Sequence, residues 1–231
     1  TARFVLDVLR PGALEPGGRG LVTIGKVRLI HAAVRRSVSL SSVSLTPSAP
    51  LAINQEEMLG TVGIFSMLVS DAIQRLGVRV SDSHAEDFLH FWCIVGAMLG
   101  VREDLLPTTM TEAREVFSAI RIRCFEPTAE GRELMGRLLE GLERYTAPVG
   151  LRYAPRYLVR YLVGNEVADA LACPRAPDSW QRLAQFAVRV ARPGALAVAL
   201  SPMTGRRLLE GMSWVKLGGA EPRYARPLEL N

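Results

Sequence analysis

Lysine is almost missing from this chain: Lys26 and Lys216 are its only two, against 26 arginines. Cysteine is nearly as sparse, with Cys93, Cys124 and Cys173 far apart and none in a CxxC pair. An odd number of distant thiols supports neither a disulfide framework nor a zinc site. Few thiols fit a reducing compartment, so the cytoplasm is the expected location. No run reaches the ~18 apolar residues of a membrane-spanning helix. The nearest candidates, "IVGAMLGV" and "GALAVALSPM", are short and read as core. Also lacking are GxGxxG after a strand, GxxxxGK[ST], GxSxG and HExxH, which removes the dinucleotide, P-loop, serine-hydrolase and zincin classes. The "PGGRG" cluster has neither the preceding strand nor the lysine of a phosphate loop and reads as a turn. The net charge of +5 is spread among 23 acidic residues without a basic block or interleaved aromatics. No nucleic-acid partner is expected.

What is present is a well-buried globular composition, 231 residues with 48% hydrophobic content and no internal break. One domain over residues 1–231 is expected. The pattern is helical nearly throughout. "TARFVLDVL" reads as the end of a helix, stopped by the turn-rich "RPGALEPGGRG". A helix follows over Leu21–Val38, then a Ser-rich loop whose Val/Leu/Ser alternation is the one weak strand signal. Asn54 caps a long helix that ends at Gly77, and the next opens at "SDSH" and closes at Gly100. Further helices are expected over Thr111–Ile122, Ala129–Tyr145, Pro155–Ala172, Ser179–Ala191 and Pro202–Lys216, with "EPRYARPLELN" as a tail. The fold class is all-α, a helical bundle.

The three histidines carry the chemistry. His84 lies in the first turn of its helix beside charged residues and is expected in solvent. His90 sits in the apolar "FLHFWCIVGAMLG" and is expected to be buried. A carboxylate di-iron site needs paired ExxH helices, and Glu86, Asp87 and His90 have no twin. His31, in "KVRLIHAAVRR", is placed by helical geometry. Val27 and Val34 flank it on one side, Arg28 and Arg35 on the other, with Ile24 and Val38 along the axis. It therefore stands between an apolar stripe and an arginine stripe, and Ala32 and Ala33 leave room for a bulky neighbour. Haem would suit that border, with an iron for the imidazole, an apolar ring for the aliphatic wall and propionates for the guanidinium groups. From geometry alone a core-edge histidine with its arginines in water is the favoured reading, because such borders are common on amphipathic helices. Met58, Thr61, Phe65, Leu68 and Ala72 share one helix face on which Thr61 is the only polar member. Its hydroxyl either lines a pocket or bonds back to its own helix. Arg152, Arg156 and Arg160, with Tyr153, Tyr157 and Tyr161 one step round, form a face that fits solvent or a membrane surface.

Several stretches, in order, resemble the rubber oxygenases (latex-clearing proteins) and a related fungal endoplasmic-reticulum oxygenase that cleaves a polyprenyl side chain. They are "TARFVLDVLRPGALEPGGRG", "VRLIHAAVRR", "INQEEMLGTVGIFS", "HFWCIVGAMLGV" and "APRYLVRYLVGNEVADALACP". The resemblance spans roughly Thr1 to Cys173 and implies a globin-like core holding a b-type haem. It makes His31 the proximal iron ligand and places Thr61 in the haem pocket. With that assignment, Arg28 or Arg35 pairs with a propionate and Phe65 shapes the pocket beside Thr61. Thr1 matches a threonine on the family's distal side; the basic residue and carboxylate of that side would lie before it. Cys93 stands where relatives often carry an arginine after the tryptophan, here Trp92. The expected activity is a haem-b oxygenase using O2 on an apolar alkene or terpenoid, with oxidative C=C cleavage as its chemistry. A haem carrier or sensor without turnover and a cofactor-free interaction module are the other readings.

Overall fold

The central region, residues 55–124, places its glycines where one helix must pass close to another, and the rest of the fold is arranged around that crossing. The structure, a computed structural model, describes residues 2–40, 51–76, 78–175, 177–179 and 182. Nine α-helices occur among them: α1 Ala2–Val8, α2 Arg19–Leu40, α3 Gln55–Gly63, α4 Val69–Arg75, α5 Asp82–Leu99, α6 Met110–Cys124, α7 Ala129–Thr146, α8 Ala154–Val163 and α9 Asn165–Ala170. A π-helical segment, Ile64–Leu68, joins α3 to α4. No strand occurs among the described residues, and no described helix is long and apolar enough to cross a membrane. The all-α expectation holds.

Local chemistry sets the helix ends. Asn54 Oδ1 accepts from Glu57 N–H at 3.0 Å while Glu57 Oε2 accepts from Asn54 N–H, a reciprocal cap at the start of α3. Ser81 caps α5, which ends at Gly100 with φ 106°. Met110 N–H, at the start of α6, donates to the Glu86 carboxylate of α5, so one helix caps the next. The expected helix from Asn54 to Gly77 is interrupted by the π segment. The one expected over Pro155–Ala172 breaks at Gly164, whose φ of 86° no helix accepts. Helix α2 runs two residues beyond the expected Val38, to Leu40, into the Ser-rich stretch expected to be a loop. Residues 41–50 lie outside the described part, as do Thr1 and nearly all of the two helices expected after Ser179.

The main core is built by α3, α5 and α6, with α1 and α2 against it. Leu89, Trp92 and Val95 of α5 are almost fully buried, with Met58, Leu59 and Val62 of α3 and Ala113 and Phe117 of α6. The leucine, valine, methionine and phenylalanine side chains among them each contribute about 1.5–3 kcal/mol on burial. His90 is not among them. It lies with Asp87 and Ile94 on the outward face of α5 and is exposed, because the buried stripe runs through Leu89, Trp92, Cys93 and Gly96. His84 is exposed, as expected, with Nδ1 2.7 Å from Ser81 Oγ. A second cluster of Leu139, Ala168 and Cys173 holds α7, α8 and α9 together. There the arginine stripe of α8 turns inward. Arg160 is buried and donates to Cys173 O, Asn165 Oδ1 and Asp169 Oδ1, while Arg156 pairs with the buried Glu143. Only Arg152 of the three remains exposed.

Close packing makes the glycines unequal. A Cβ on Gly63 would sit 2.5 Å from the Phe117 ring, and one on Gly96 2.7 Å from Val62 Cγ2, whereas Gly136 on α7 has open space. Gly63→Ala is expected to cost about 1–3 kcal/mol by overpacking. Gly136→Ala is expected to stabilise by about 0.4–1 kcal/mol through the unfolded chain. Urea denaturation of the two variants checks both, and equal effects would contradict the packing at α3–α6.

Candidate functional site

Four helices converge on a cavity of about 420 Å³. Helix α2 supplies Val27, Ile30 and His31, and α1 supplies Phe4. Helix α3 and the π segment supply Glu57, Met58, Thr61, Val62 and Phe65; α5 supplies Trp92, Val95, Gly96 and Leu99. The walls are apolar apart from His31, Glu57, Thr61 and the Trp92 indole, and the size falls within the roughly 300–1,000 Å³ of small-molecule and cofactor sites.

The π segment decides which residues face the cavity. Its i→i+5 bonding sets the chain after Phe65 out of α-helical register. Phe65 thus lies under Trp92, with ring centres 4.8 Å apart and planes 17° from parallel, while Leu68 is half exposed. Phe4, Phe88 and Phe91 complete an aromatic cage around Trp92. The face expected to carry Met58, Thr61, Phe65, Leu68 and Ala72 is therefore in the cavity only as far as Phe65.

His31 is partly buried. Its Nδ1 and the Trp92 Nε1 are buried without a hydrogen-bond partner, and both side chains line this cavity. Burial of the ring, and secondarily the charge of Arg35, hold the imidazole below its usual pKa of 6.5. A neutral imidazole is the form that ligates a metal. Thr61, at the mouth, is exposed and donates to Glu57 O at 2.8 Å, so the back-bond weighed from sequence is present on a residue that also lines the cavity.

The arginines are placed differently from the pairing expected of them. Arg28 donates to Met98 O at 2.8 Å, and Arg35 donates through Nε and one terminal nitrogen to Ile53 O at 3.1 and 2.7 Å. Both line a second, more open groove of about 900 Å³ beside the cavity, with Ala32, Leu51, Asn54 and Gln55. Ile53 and Leu99 line both spaces and form the partition between them. So the structure brings His31, Thr61 and Phe65 together in the cavity and puts Arg28 and Arg35 in the adjoining groove. Phe4, Ile53 and Glu57 lie within the stretches that carry the resemblance, but nothing in their sequence context gave them a place in the site; their proximity in the fold does.

Cys93 is buried on the far side of α5, 3.5 Å from Pro107 O, and burial pushes its thiol up to about 11. That makes it a packing residue with no thiolate to offer near neutral pH. Among the described residues, no three His, Cys, Asp or Glu side chains gather to hold a bare metal ion.

The comparisons with known proteins agree with one another. A rubber oxygenase from Streptomyces sp. (strain K30) is 29% identical over 183 residues, covering 77% of this chain and 44% of the relative. A solved structure of the latex-clearing protein LCP in the closed state superposes with a TM-score of 0.71 at 27% identity, over 91% of this chain and 58% of that one. The chain thus spans about half the length of these relatives. Residues 1–193 match the family described as ER-bound oxygenase mpaB/B'/Rubber oxygenase, catalytic domain. The chain, with its all-helical fold and its histidine-lined apolar cavity, belongs to that family.

Proposed function

We propose that this chain is the catalytic domain of a haem-b-dependent oxygenase that uses O2 on an apolar, alkene-bearing substrate of the terpenoid or polyisoprene kind. The observation that carries the reading is the partly buried imidazole of His31, its pKa lowered and its Nδ1 without a partner, in the wall of a largely apolar cavity. The residues present fit the group. An orphaned ring nitrogen, aliphatic walls and a cage of aromatics suit an apolar macrocycle with one metal to ligate. Haem, when bound, supplies a redox-active iron for dioxygen chemistry.

The chain's own side chains do the rest. His31 would hold the iron through its imidazole. Val27, Val62 and Val95 make the cavity wall apolar and would keep water out of it, giving a hydrocarbon substrate and O2 a dry space. Phe65, braced by Trp92, sets the depth of the cavity. Thr61 holds a hydroxyl oxygen at the mouth that can accept a hydrogen bond, since its proton is committed to Glu57 O. Arg28 and Arg35 border the groove into which the carboxylates of the ring would extend. The family names and the similarity to a rubber oxygenase support the substrate class.

Purified protein loaded with haemin is expected to show a Soret band that His31→Ala abolishes while far-ultraviolet circular dichroism is unchanged. A band that persists in His31→Ala would remove this ligand assignment. Consumption of O2 with carbonyl formation from a polyprenyl substrate tests turnover. A loaded protein inert to a broad substrate set would instead be a haem carrier or sensor.

The same imidazole predicts a pH signature in the protein without haemin. Because the folded state holds His31 below 6.5, the unfolded chain binds the extra proton first. Stability is therefore fully present above about pH 6.5 and is lost as pH falls through the lowered folded value. In His31→Phe this slope should flatten, as measured by thermal unfolding between pH 7.5 and 5.

A further inference from the structure

Ile53 departs from what its side chain prefers. Its φ is 55°, in the left-handed region where a β-branched residue is an outlier and Gly or Asn the ordinary occupant. Ala172, the other non-glycine of positive φ among the described residues, follows α9. There Cys173 N–H donates back to Ala168 O, a common helix ending. Ile53 precedes its helix and has no such account. Its carbonyl is gripped by two donors of Arg35, and its neighbours are braced. Asn54 is capped with Glu57, and Gln55 bonds both Gly100 O and Arg102 N–H at 2.9 Å. The strained residue is also the partition shared by the cavity and the groove.

We propose that Arg35 and Ile53 form a latch: the guanidinium holds Ile53 in its strained conformation across the passage between cavity and groove. A ligand carboxylate that takes the guanidinium releases Ile53 and joins the two spaces into one site for an amphipathic ligand. The exchange runs downhill for two reasons. A carboxylate bonds the guanidinium with charge on both partners, whereas the Ile53 carbonyl is neutral. Releasing Ile53 also relieves the backbone strain. The chain's own nearby carboxylates do not spring the latch. Glu56 is paired with Arg123, and Glu57 is committed to the Asn54 N–H. The identity of the ligand rests on the haem reading, in which an apolar ring carries two carboxylates; the latch itself rests on the backbone.

Two measurements on the full chain test it. Without haemin, thermal midpoints of wild type, Arg35→Leu, Ile53→Gly and the double variant form a cycle. Glycine adopts this φ unaided and has no strain to release, so Arg35→Leu should lower the midpoint more in the Ile53→Gly background than in wild type, where release of Ile53 offsets part of the lost bond. Additive losses would overturn the latch. With haemin, wild type should develop its Soret band at least tenfold faster than with haemin dimethyl ester, which has no carboxylate to offer Arg35. That gap should narrow in Ile53→Gly, where only the Leu99 part of the partition remains. Equal rates for both forms in wild type would overturn the exchange. If neither form gives a Soret band, the haem reading falls, while coupling in the cycle still supports the latch and additivity still refutes it.

Discussion

Helix α2 carries the central residue of the site, yet of its 22 residues only Gly20 and Ile24 are buried. It is held in place by charged hydrogen bonds. At its start, Asp7 of α1 is buried and accepts from Arg3 and Thr23, with Arg10 and Arg19 within 4.0 Å. Further along, Arg28 and Arg35 reach the main-chain carbonyls of Met98 and Ile53. Apolar burial is non-directional and would let a helix roll; hydrogen bonds from a planar guanidinium fix its rotation. His31 lies between Arg28 and Arg35, so the two anchors decide where the imidazole points.

The floor beneath α2 is rigid for a different reason. Gly63 and Gly96 let α3, α5 and α6 approach until a methyl group would collide, and the π segment begins where Gly63 meets Phe117. That offset brings Phe65 to a stacked contact with Trp92 instead of letting an unbroken helix carry Leu68 inward. A soft, polar-anchored roof over a hard, glycine-packed floor is a reasonable construction for a site that must admit a bulky ring. The strain at Ile53 falls on the seam between them.

Burial does the electrostatic work at the centre. It lowers the pKa of His31 and leaves a ring nitrogen without a partner, an arrangement that costs stability unless something is bound. The arginines beside it are already employed on carbonyls. The charge of Arg35 adds to the lowering of the imidazole pKa, and the groove both arginines line lies next to the cavity. Support for an occupant with an apolar body and anionic ends comes from that juxtaposition.

Much was readable in the sequence. The 3.6-residue pattern, the caps at Asn54 and Ser81 and the stop at Gly100 are local effects, set by side chains within a turn of where they act, and so is the placing of His31 between valines and arginines. The order of motifs likewise pointed to the family before any coordinates. Local pattern misplaced His90, because an apolar neighbourhood in sequence does not say which stripe of a helix faces inward. It joined α8 to α9 and α3 to α4, because a single glycine or an i→i+5 turn changes register without changing composition. What only the tertiary structure decided is which groups meet: Arg160 turned inward, Arg28 and Arg35 spent on carbonyls 70 and 18 residues away, and Ile53 bent into a conformation its sequence disfavours. Those outcomes depend on partners distant in the chain, and no local window contains them.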